Sequence, residues 1–298
     1  MTLQLNMLAS LLTTERTATA VRQRVLFPTL VTLLDRLAND SARKAEVIGW
    51  GSPVPVFGDL ARARVATLGL NPSNREFVGD DGVELAGEDR RFHTLASLGL
   101  SSWDDAHSGH LDRILVSCSE YFNRNPYDRW FRRLDHVLSA TGTSYYDSSS
   151  PACHLDLIPY ATGRKWTELT ARQRSGLIGL AGDTLGLLLY RSCVRVLILN
   201  GQSVVSHFQE ATGITLARSA MPQWALPRRS IDNVPGYAYH GSVDTVSGYQ
   251  LSERLLVLGF NHNLQSSYGV TSRVIAAIRA WVGEAANEAL RQSATELS

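Results

Sequence analysis

The sequence predicts an α/β fold with a three-layer arrangement, in which a mostly parallel central sheet of about four strands is flanked by helices. Four short apolar runs carry the prediction: "RVATLGL", "CHLDLIPY", "VRVLILN" and "RLLVLGF". Each run is continuous rather than alternating, which is typical of strands covered on both faces. Segments with helical spacing separate these runs, and strands that alternate with helices indicate a parallel sheet.

The N-terminal part differs from this pattern. Residues 13–45 place apolar side chains at helical spacing, with an interruption or kink expected near Pro28. The following stretch, "VIGWGSPVPVFGDL", mixes Gly and Pro with strand formers, which predicts a hairpin or an edge-strand excursion. We therefore expect residues 1–62 to form a helical segment and hairpin packed on the core, and residues 63–298 to form the α/β domain of one globular unit.

Helices are predicted between and after the strands, at residues 90–98, 110–117, 127–140, 170–190, 203–212 and 272–291. The Pro- and Gly-containing stretch "SAMPQWALPRRSIDNVPGYAYHGSV" is predicted to be a long surface excursion. In open parallel sheets, ligands bind outside the carboxyl ends of the strands. The segments that follow the four apolar runs are therefore where a site is expected.

Composition narrows the possible classes of protein. The chain has 298 residues, 44% of them hydrophobic, and a net charge of +1, which neither demands nor excludes a nucleic-acid partner. Three distant cysteines, Cys118, Cys153 and Cys193, argue against a disulfide framework, a zinc finger or a four-cysteine iron–sulfur site. No metal or other cofactor is predicted. The sequence shows no signal segment and no membrane span, so we expect a cytoplasmic protein without a membrane partner.

Familiar catalytic motifs, including G-x-G-x-x-G, the Walker loop, G-x-S-x-G and H-E-x-x-H, do not occur. The strand ends are more informative. "GLNPS", "HLDLIPYAT", "RVLILNGQ" and "GFNHNLQSSYG" occur in this order and resemble the uracil-DNA glycosylase superfamily. The Asn-Pro form is most similar to the branches with a G-x-N-P motif, the mismatch-specific and single-strand-selective enzymes. The resemblance covers roughly residues 65–281. We call the loop in "GFNHNLQSSYG", residues 259–269, the late loop; in it His262 is followed by Asn-Leu-Gln where the superfamily usually has Pro-Ser-Pro.

The resemblance implies two catalytic residues, Asn71 and His262. Breaking an N-glycosidic bond builds positive charge on the sugar and negative charge on the departing base, so a site needs a donor near the base and a placed water. His262 is the expected donor. Asn71 is expected to orient the water through its carbonyl, because an amide does not titrate and cannot act as a base. Turn chemistry at Asn71-Pro72 and a structural role for His262 are the alternatives.

Four residues are expected to hold the base. Asp156 lies where the resemblance places a base-reading side chain, and an ionised carboxylate accepts from the exocyclic amino group of cytosine. His154 is the alternate reader. Phe77 and Phe92 are candidates to stack on an extruded base. The alternatives are a buried aspartate paired with an arginine or capping a turn, and phenylalanines that simply pack in the core.

A further set of residues is expected to contact DNA. Leu264 is expected to wedge into the duplex, and Ser266 and Ser267 to contact phosphates. The complete set of expected DNA contacts is Ser73, Lys165, Asn263, Leu264, Ser266 and Ser267.

These expectations define a monofunctional DNA glycosylase that excises a flipped uracil or modified pyrimidine from DNA with a modified or damaged base, for base-excision repair. No lysine occupies a motif position, which favours water over a Schiff base. Bacterial relatives in the superfamily excise glucosylated hydroxymethylcytosine from phage DNA as an antiviral defence, and the resemblance allows that role. A monomer is expected. The alternative is a non-catalytic nucleic-acid-binding or nucleotide-sensing protein on the same fold.

Overall fold

The structure is a computed structural model that describes residues 25–37, 42, 45–124, 128–228, 233–265 and 267–295. Its strands are β1 Val65–Gly69, β2 Ala152–Asp156, β3 Val196–Asn200, β4 Ala217–Ala220, β5 Tyr237–Val246 and β6 Tyr249–Phe260. Its α-helices are α1 Phe27–Leu37, α2 Leu95–Leu98, α3 Ser108–Ser119, α4 Asp128–Leu138, α5 Ala171–Ala181, α6 Thr184–Leu189, α7 Gln202–Thr212 and α8 Ser272–Thr295. Short 3-10 helices include Asn74–Glu76, Tyr121–Asn123, Trp166–Glu168 and Pro222–Trp224.

One six-stranded mixed sheet organises the chain, in the order β2-β1-β3-β6-β5-β4. Strand β1 is parallel to β2 and β3, and β3 is parallel to β6. The four apolar runs are therefore the four parallel strands, as predicted. The expected number of about four strands is too small, because β5 and β4 extend the sheet by antiparallel pairing.

The predicted long surface excursion is wrong at both ends, since this stretch begins with the end of β4 and finishes with most of β5. Both strands escaped prediction because neither has a continuous apolar run. All four residues of β4 are exposed, and β5 alternates between buried and exposed positions along much of its length. Strands near the edge of a sheet need only one covered face, so their sequence signal is weaker than that of the central strands.

Helices cover both faces of the central strands. Every residue of β2 and β3 is buried, as are four of the five residues of β1. Helices α7 and α8 pack on β3 and β6, and α6 packs on β5 and β6. After β2 the chain returns to the other side of β1 to form β3, so the switch point of the sheet lies between β1 and β3.

The segment at residues 47–60 forms no hairpin; instead it runs along the outer edge of β2. Phe57 and His154 exchange two backbone hydrogen bonds of 2.9 Å each. Of the two expectations for this segment, the edge-strand excursion matches the structure. It covers the edge of β2 that pairs with no other strand of the sheet, and the centroid of the Phe57 ring lies 5.4 Å from that of His154.

Two predicted helices differ from the observed ones. Residues 170–190 form two helices, α5 and α6, which are separated at residues 182–183. The helix expected at residues 90–98 is reduced to α2. Its start is set by a capping box in which Thr94 accepts from the Ser97 N–H and the Ser97 side chain accepts from the Thr94 N–H.

The N-terminal helix α1 shares the main hydrophobic core. Pro28 lies in its first turn, where a missing N–H costs no intrahelical hydrogen bond. Leu30, Leu33 and Leu34 are buried in the same hydrophobic cluster as the sheet. Arg36 also donates two hydrogen bonds of 2.7 Å to the Asp183 carboxylate. Residues 1–24 of the predicted helical segment lie outside the described residues.

Two features are absent from the described residues. No helix among them has the length and apolarity needed to cross a membrane. No group of three or more His, Cys, Asp or Glu side chains in the same residues could hold a metal ion.

We predict that Leu30→Ala destabilises the whole fold by about 2–5 kcal/mol, because Leu30 is fully buried and truncation leaves a cavity. Val31→Ala on the exposed side of α1 is the matched control and is expected to change stability by less than about 1 kcal/mol. Urea unfolding monitored by fluorescence measures both. Equal small effects would show that α1 is not part of the cooperative core.

Candidate functional site

A cleft of about 370 Å³ opens at the carboxyl ends of β1, β2 and β3, and we call it the central cleft. Its volume lies in the range of small-molecule sites, about 300–1,000 Å³. The polar side chains in its lining include Asn71, Glu76, His154, Asp156 and Asn200. Its aromatic walls are Phe57, Trp130, Phe131 and Trp166. Parallel strands bring these ends together at one edge of the sheet, as the switch-point rule predicts.

The Asn71 side chain is held with its amide nitrogen turned away from solvent. Nδ2 donates to Thr162 Oγ1 at 3.0 Å and to the Tyr160 carbonyl at 3.4 Å. The Thr162 hydroxyl donates its own proton to the Arg164 carbonyl at 2.7 Å, so it can only accept from Asn71. The Asn71 atom that faces Thr162 is therefore the amide nitrogen and not the carbonyl oxygen. The carbonyl oxygen of Asn71 is therefore the end left for a ligand or water.

Asp156 and His154 lie side by side on β2, and both line the central cleft. The Asp156 Oδ1 and His154 Nε2 atoms are 3.4 Å apart, and both side chains are almost fully buried. Their space depends on Gly69, the register partner of Asp156 on β1. A Cβ at Gly69 would lie 2.9 Å from His154 Nε2 and closer still to Asp156 Oδ1. The glycine of "GLNPS" is thus required by close approach, with no turn geometry involved.

A hydrogen-bonded chain orients the His154 ring. His154 Nδ1 lies 2.6 Å from Thr67 Oγ1, which in turn bonds to the Tyr145 hydroxyl. Burial raises the pKa of Tyr145 well above its usual value, so its hydroxyl stays protonated. An ionised Asp156 only accepts, so this chain is satisfied when Tyr145 donates to Thr67, Thr67 donates to Nδ1, and Nε2–H faces Asp156.

Glu76 is a buried carboxylate of the central cleft that the sequence interpretation missed. It lies five residues after Asn71, and the Tyr121 hydroxyl is within hydrogen-bond distance of its Oε2 at 3.0 Å and its Oε1 at 3.1 Å. Arg91 approaches its Oε2 to 3.6 Å. Burial is the main cause that raises the pKa of Glu76 from 4.5 to about 7, with Asp156 adding to the rise and Arg91 opposing it. Glu76 therefore exchanges a proton near neutral pH.

His262 does not share the central cleft with Asn71, which corrects the pairing expected from the late loop. It lines a second cleft, and its Nε2 donates to the Trp224 carbonyl at 2.8 Å. Burial lowers the pKa of His262, so the imidazole is neutral at pH 7. The single N–H of a neutral imidazole is already committed to Trp224. In this geometry His262 has no proton to donate to a base bound beside Asn71.

Phe77 and Phe92 do not fit the stacking role, because both rings are fully buried and neither lines the central cleft. Phe92 stacks on Tyr121 with ring centroids 5.2 Å apart, and Phe77 packs edge-on against Trp50. The simple core alternative describes them. Phe57, Trp130, Phe131 and Trp166 provide the aromatic surface in their place.

Hydrogen bonds from the end of β3 hold the late loop, and they determine where its predicted DNA-contacting side chains lie. Asn200 Oδ1 accepts from the Leu264 N–H at 3.1 Å, and Asn200 Nδ2 donates to Gln265 Oε1 at 2.7 Å. The Leu264 side chain is completely buried, so the predicted wedge is wrong in this structure. Asn263 lines the central cleft and Ser267 lines the second cleft. Ser266 lies outside the described residues.

The remaining predicted DNA contacts, Ser73 and Lys165, are exposed and line the central cleft. Ser73 caps the 3-10 helix Asn74–Glu76 by accepting from the Arg75 N–H at 3.2 Å. Of the residues predicted for the site, Asn71, Ser73, His154, Asp156, Lys165 and Asn263 are brought together here.

No protein-family model matches this chain, and no curated protein matches it. The fold and the cleft define an α/β protein with a six-stranded mixed sheet and a polar, aromatic-walled site at its strand ends.

We predict that Gly69→Ala destabilises the protein by about 1–3 kcal/mol, since the added methyl group overpacks the buried Asp156 and His154 side chains. Gly176→Ala is the matched control, because a Cβ there meets nothing within 4 Å on helix α5. Chemical denaturation of both variants tests the prediction. An equal effect of the two substitutions would contradict it.

The raised pKa of Glu76 predicts a pH-dependent effect of Glu76→Gln on stability. The folded protein keeps a proton that the unfolded chain releases above pH 4.5, so wild-type stability falls as pH rises from 4.5 to about 7. The cost above pH 7 is about 3 kcal/mol, at about 1.4 kcal/mol per pKa unit.

A neutral glutamine side chain at this position avoids that cost. Glu76→Gln should therefore be more stabilising, relative to wild type, at pH 8 than at pH 4, as measured by urea unfolding at each pH. Glu284→Gln, an exposed change on α8, is the control for general charge effects. A stability difference that does not vary with pH would show that Glu76 titrates normally.

Proposed function

We propose that this protein is a monofunctional DNA glycosylase of the uracil-DNA glycosylase type, which acts as a monomer in the cytoplasm. The observation that carries the proposal is the convergence of Asn71, Asp156 and Glu76 on one aromatic-walled cleft. The four motifs that resemble the superfamily also follow four parallel strands at one edge of one sheet. A cleft at this place suits a single extruded base.

Base recognition in this proposal combines stacking with one charged acceptor. Trp130 and Trp166 supply flat aromatic surface for a planar base, a contact that tolerates any base. Asp156, when ionised, accepts from an exocyclic amino group and offers no donor to a carbonyl oxygen. This chemistry favours a cytosine-derived base over uracil, and it is compatible with excision of glucosylated hydroxymethylcytosine from phage DNA.

The proposed reaction uses water as the nucleophile. The Asn71 carbonyl holds one hydrogen of the water, and the Glu76 carboxylate takes the other as the water oxygen bonds to C1′ of the sugar. The bond between C1′ and the base nitrogen breaks, and its electron pair leaves with the base. The proton taken by Glu76 returns to the base or to solvent. Asn263 replaces His262 as the late-loop side chain beside the leaving base.

Lys165 is the residue that would permit a different mechanism. It lines the central cleft, and an amine at C1′ forms a Schiff base that borohydride traps covalently. Lys165 lies outside the four strand-end motifs, whereas Asn71, which belongs to the first of them, lines the central cleft beside Glu76. The proposal therefore keeps water as the nucleophile, and no trapped complex is expected.

We predict that the purified protein releases the base from at least one of four DNA substrates, which carry uracil, hypoxanthine, hydroxymethylcytosine or glucosylated hydroxymethylcytosine. Alkali-labile abasic sites report the reaction. Asn71→Ala and Glu76→Gln should each lower kcat by about 10²–10⁴, because each removes one of the groups that act on the water. Glu76→Gln should also remove the ionisation near pH 7 from the rate profile.

Glu284→Gln is the control for the loss of a carboxylate, since Glu284 is exposed on α8. Full activity in both Asn71→Ala and Glu76→Gln would contradict the site assignment. The absence of an abasic product from every substrate would contradict the glycosylase proposal itself. If borohydride traps a covalent complex and Lys165→Ala abolishes it, the nucleophile is Lys165 and not water.

One observation favours the alternative of a protein that binds nucleic acid or senses a nucleotide without catalysis. The late-loop histidine, which the resemblance expects beside the base, donates to Trp224 in a different cleft. A site without that donor retains base recognition by Asp156 and the aromatic walls. Binding of an oligonucleotide without base release in the same assay would support this alternative.

A further inference from the structure

A second cleft of about 480 Å³, which we call the lateral cleft, lies beside β4, β5 and the late loop. Two arginines line it, Arg218 on β4 and Arg228 shortly after the 3-10 helix Pro222–Trp224. None of the described residues that line the lateral cleft carries a carboxylate. Two guanidinium groups without an acidic neighbour in the lining give this cleft a local positive charge, although the chain as a whole is nearly neutral.

Each arginine lies over the ring of a tyrosine, in a cation–π contact. Arg218 lies over the Tyr237 ring at 4.6 Å, and Arg228 lies over the Tyr268 ring at 5.3 Å and donates to the Tyr268 carbonyl at 3.2 Å. A guanidinium has five N–H donors, so one that lies over a ring still has N–H groups to offer an anion such as a phosphate. Tyr268 is 78% exposed, so it also offers aromatic surface to a base.

The two clefts are separated only by a ridge, formed by the turn after β3 and the late loop. Asn200 and Asn263 line the central cleft, whereas Gln202 and His262 line the lateral cleft. The two segments of the ridge approach closely at Gly201, where an added Cβ would lie 3.0 Å from Asn263 Cβ. Its φ of +104° is also a backbone conformation that glycine adopts readily and other residues rarely do. Only Gly201 separates the linings of the two clefts in the turn after β3, and in the late loop the lining residues His262 and Asn263 are adjacent, so a bound polymer can cross the ridge.

We propose that the lateral cleft binds the nucleotides that flank the target nucleotide on the same DNA strand. The inference rests on the proposed function, in which the central cleft takes the target base. Arg218 and Arg228 contact consecutive phosphates of a single strand, and a flanking base stacks on Tyr268. Protein binders of single strands combine these two features, a positive groove and aromatic platforms.

The test uses single-stranded oligonucleotides that carry glucosylated hydroxymethylcytosine and have zero to six extra nucleotides on the 5′ side or on the 3′ side. It measures the affinity of the protein for each of them. Wild-type affinity should rise with length on one side only, by about tenfold or more. The double variant Arg218→Ala/Arg228→Ala should abolish this rise. The slope of log K against log salt should fall by about 1.4, at about 0.7 for each phosphate that is no longer neutralised.

Two comparisons make the result specific. Arg172→Ala/Arg191→Ala removes the same charge outside both clefts, and Arg191 also stacks on a tyrosine, Tyr190, at 4.6 Å. This control should keep the length dependence. Arg218→Lys/Arg228→Lys should keep the salt slope, because the charges remain, while affinity falls because the planar guanidinium groups are absent.

The inference is overturned if wild-type affinity does not depend on flanking length, or if the Arg172/Arg191 control weakens binding as much as the lateral-cleft variant. It is also overturned if inorganic phosphate competes at the lateral cleft but flanking nucleotides add nothing. If abasic product forms and neither its formation nor flank binding depends on Arg218 and Arg228, the inference is refuted and the proposed glycosylase activity is not. Arginine-dependent binding of the flank without any abasic product supports the inference and refutes the proposed glycosylase activity.

Discussion

The missing side chain at Gly69 is the constraint on which the central cleft depends. Gly69 on β1 and Asp156 on β2 are register partners in adjacent parallel strands. A methyl group on β1 would overlap the space of the Asp156 carboxylate and crowd His154. With that space open, the two polar side chains of β2 reach the strand-end edge of the sheet, and Asn71 follows two residues after Gly69. The glycine and the asparagine of "GLNPS" therefore serve one site through different physical effects.

Buried charge gives the cleft its chemical character. Glu76 and Asp156 are two carboxyl groups in one desolvated site, and burial together with the charge of Asp156 raises the pKa of Glu76 to about 7. Such an arrangement costs folding free energy near neutral pH, which is typical of sites tuned for proton transfer. Tyr121 and Arg91 offset part of that cost through hydrogen bonding and charge. In the proposed reaction, Asn71, which does not titrate, orients the water, and Glu76, which does, takes its proton.

The late loop lines both the central cleft and the lateral cleft. Asn200 at the end of β3 holds the loop through Leu264 and Gln265, and Arg133 on α4 donates to the Leu264 carbonyl at 2.9 Å. Because these bonds fix the loop backbone, successive side chains face different clefts. Asn263 faces the central cleft and His262 the lateral cleft. The added antiparallel strands β4 and β5 then supply the outer wall of the lateral cleft.

Local sequence alone determined the four parallel strands, because a continuous apolar run indicates a strand that is covered on both faces, whatever its position in the sheet. It also determined that Asn71 follows such a strand and that His154 and Asp156 lie on one, with Asp156 at its end; parallel pairing places strand ends at one edge. Strands β4 and β5 were missed because one covered face leaves only a weak alternating signal.

Tertiary structure alone decided the direction of each remaining side chain, since the partners are distant in sequence. Glu76 accepts a hydrogen bond from Tyr121, 45 residues away, and His262 donates to the Trp224 carbonyl, 38 residues away. Phe77 and Phe92 were placed in the core by packing against Trp50 and Tyr121. A residue's type sets which hydrogen bonds and contacts it can make, but only the folded chain determines which partners are within reach.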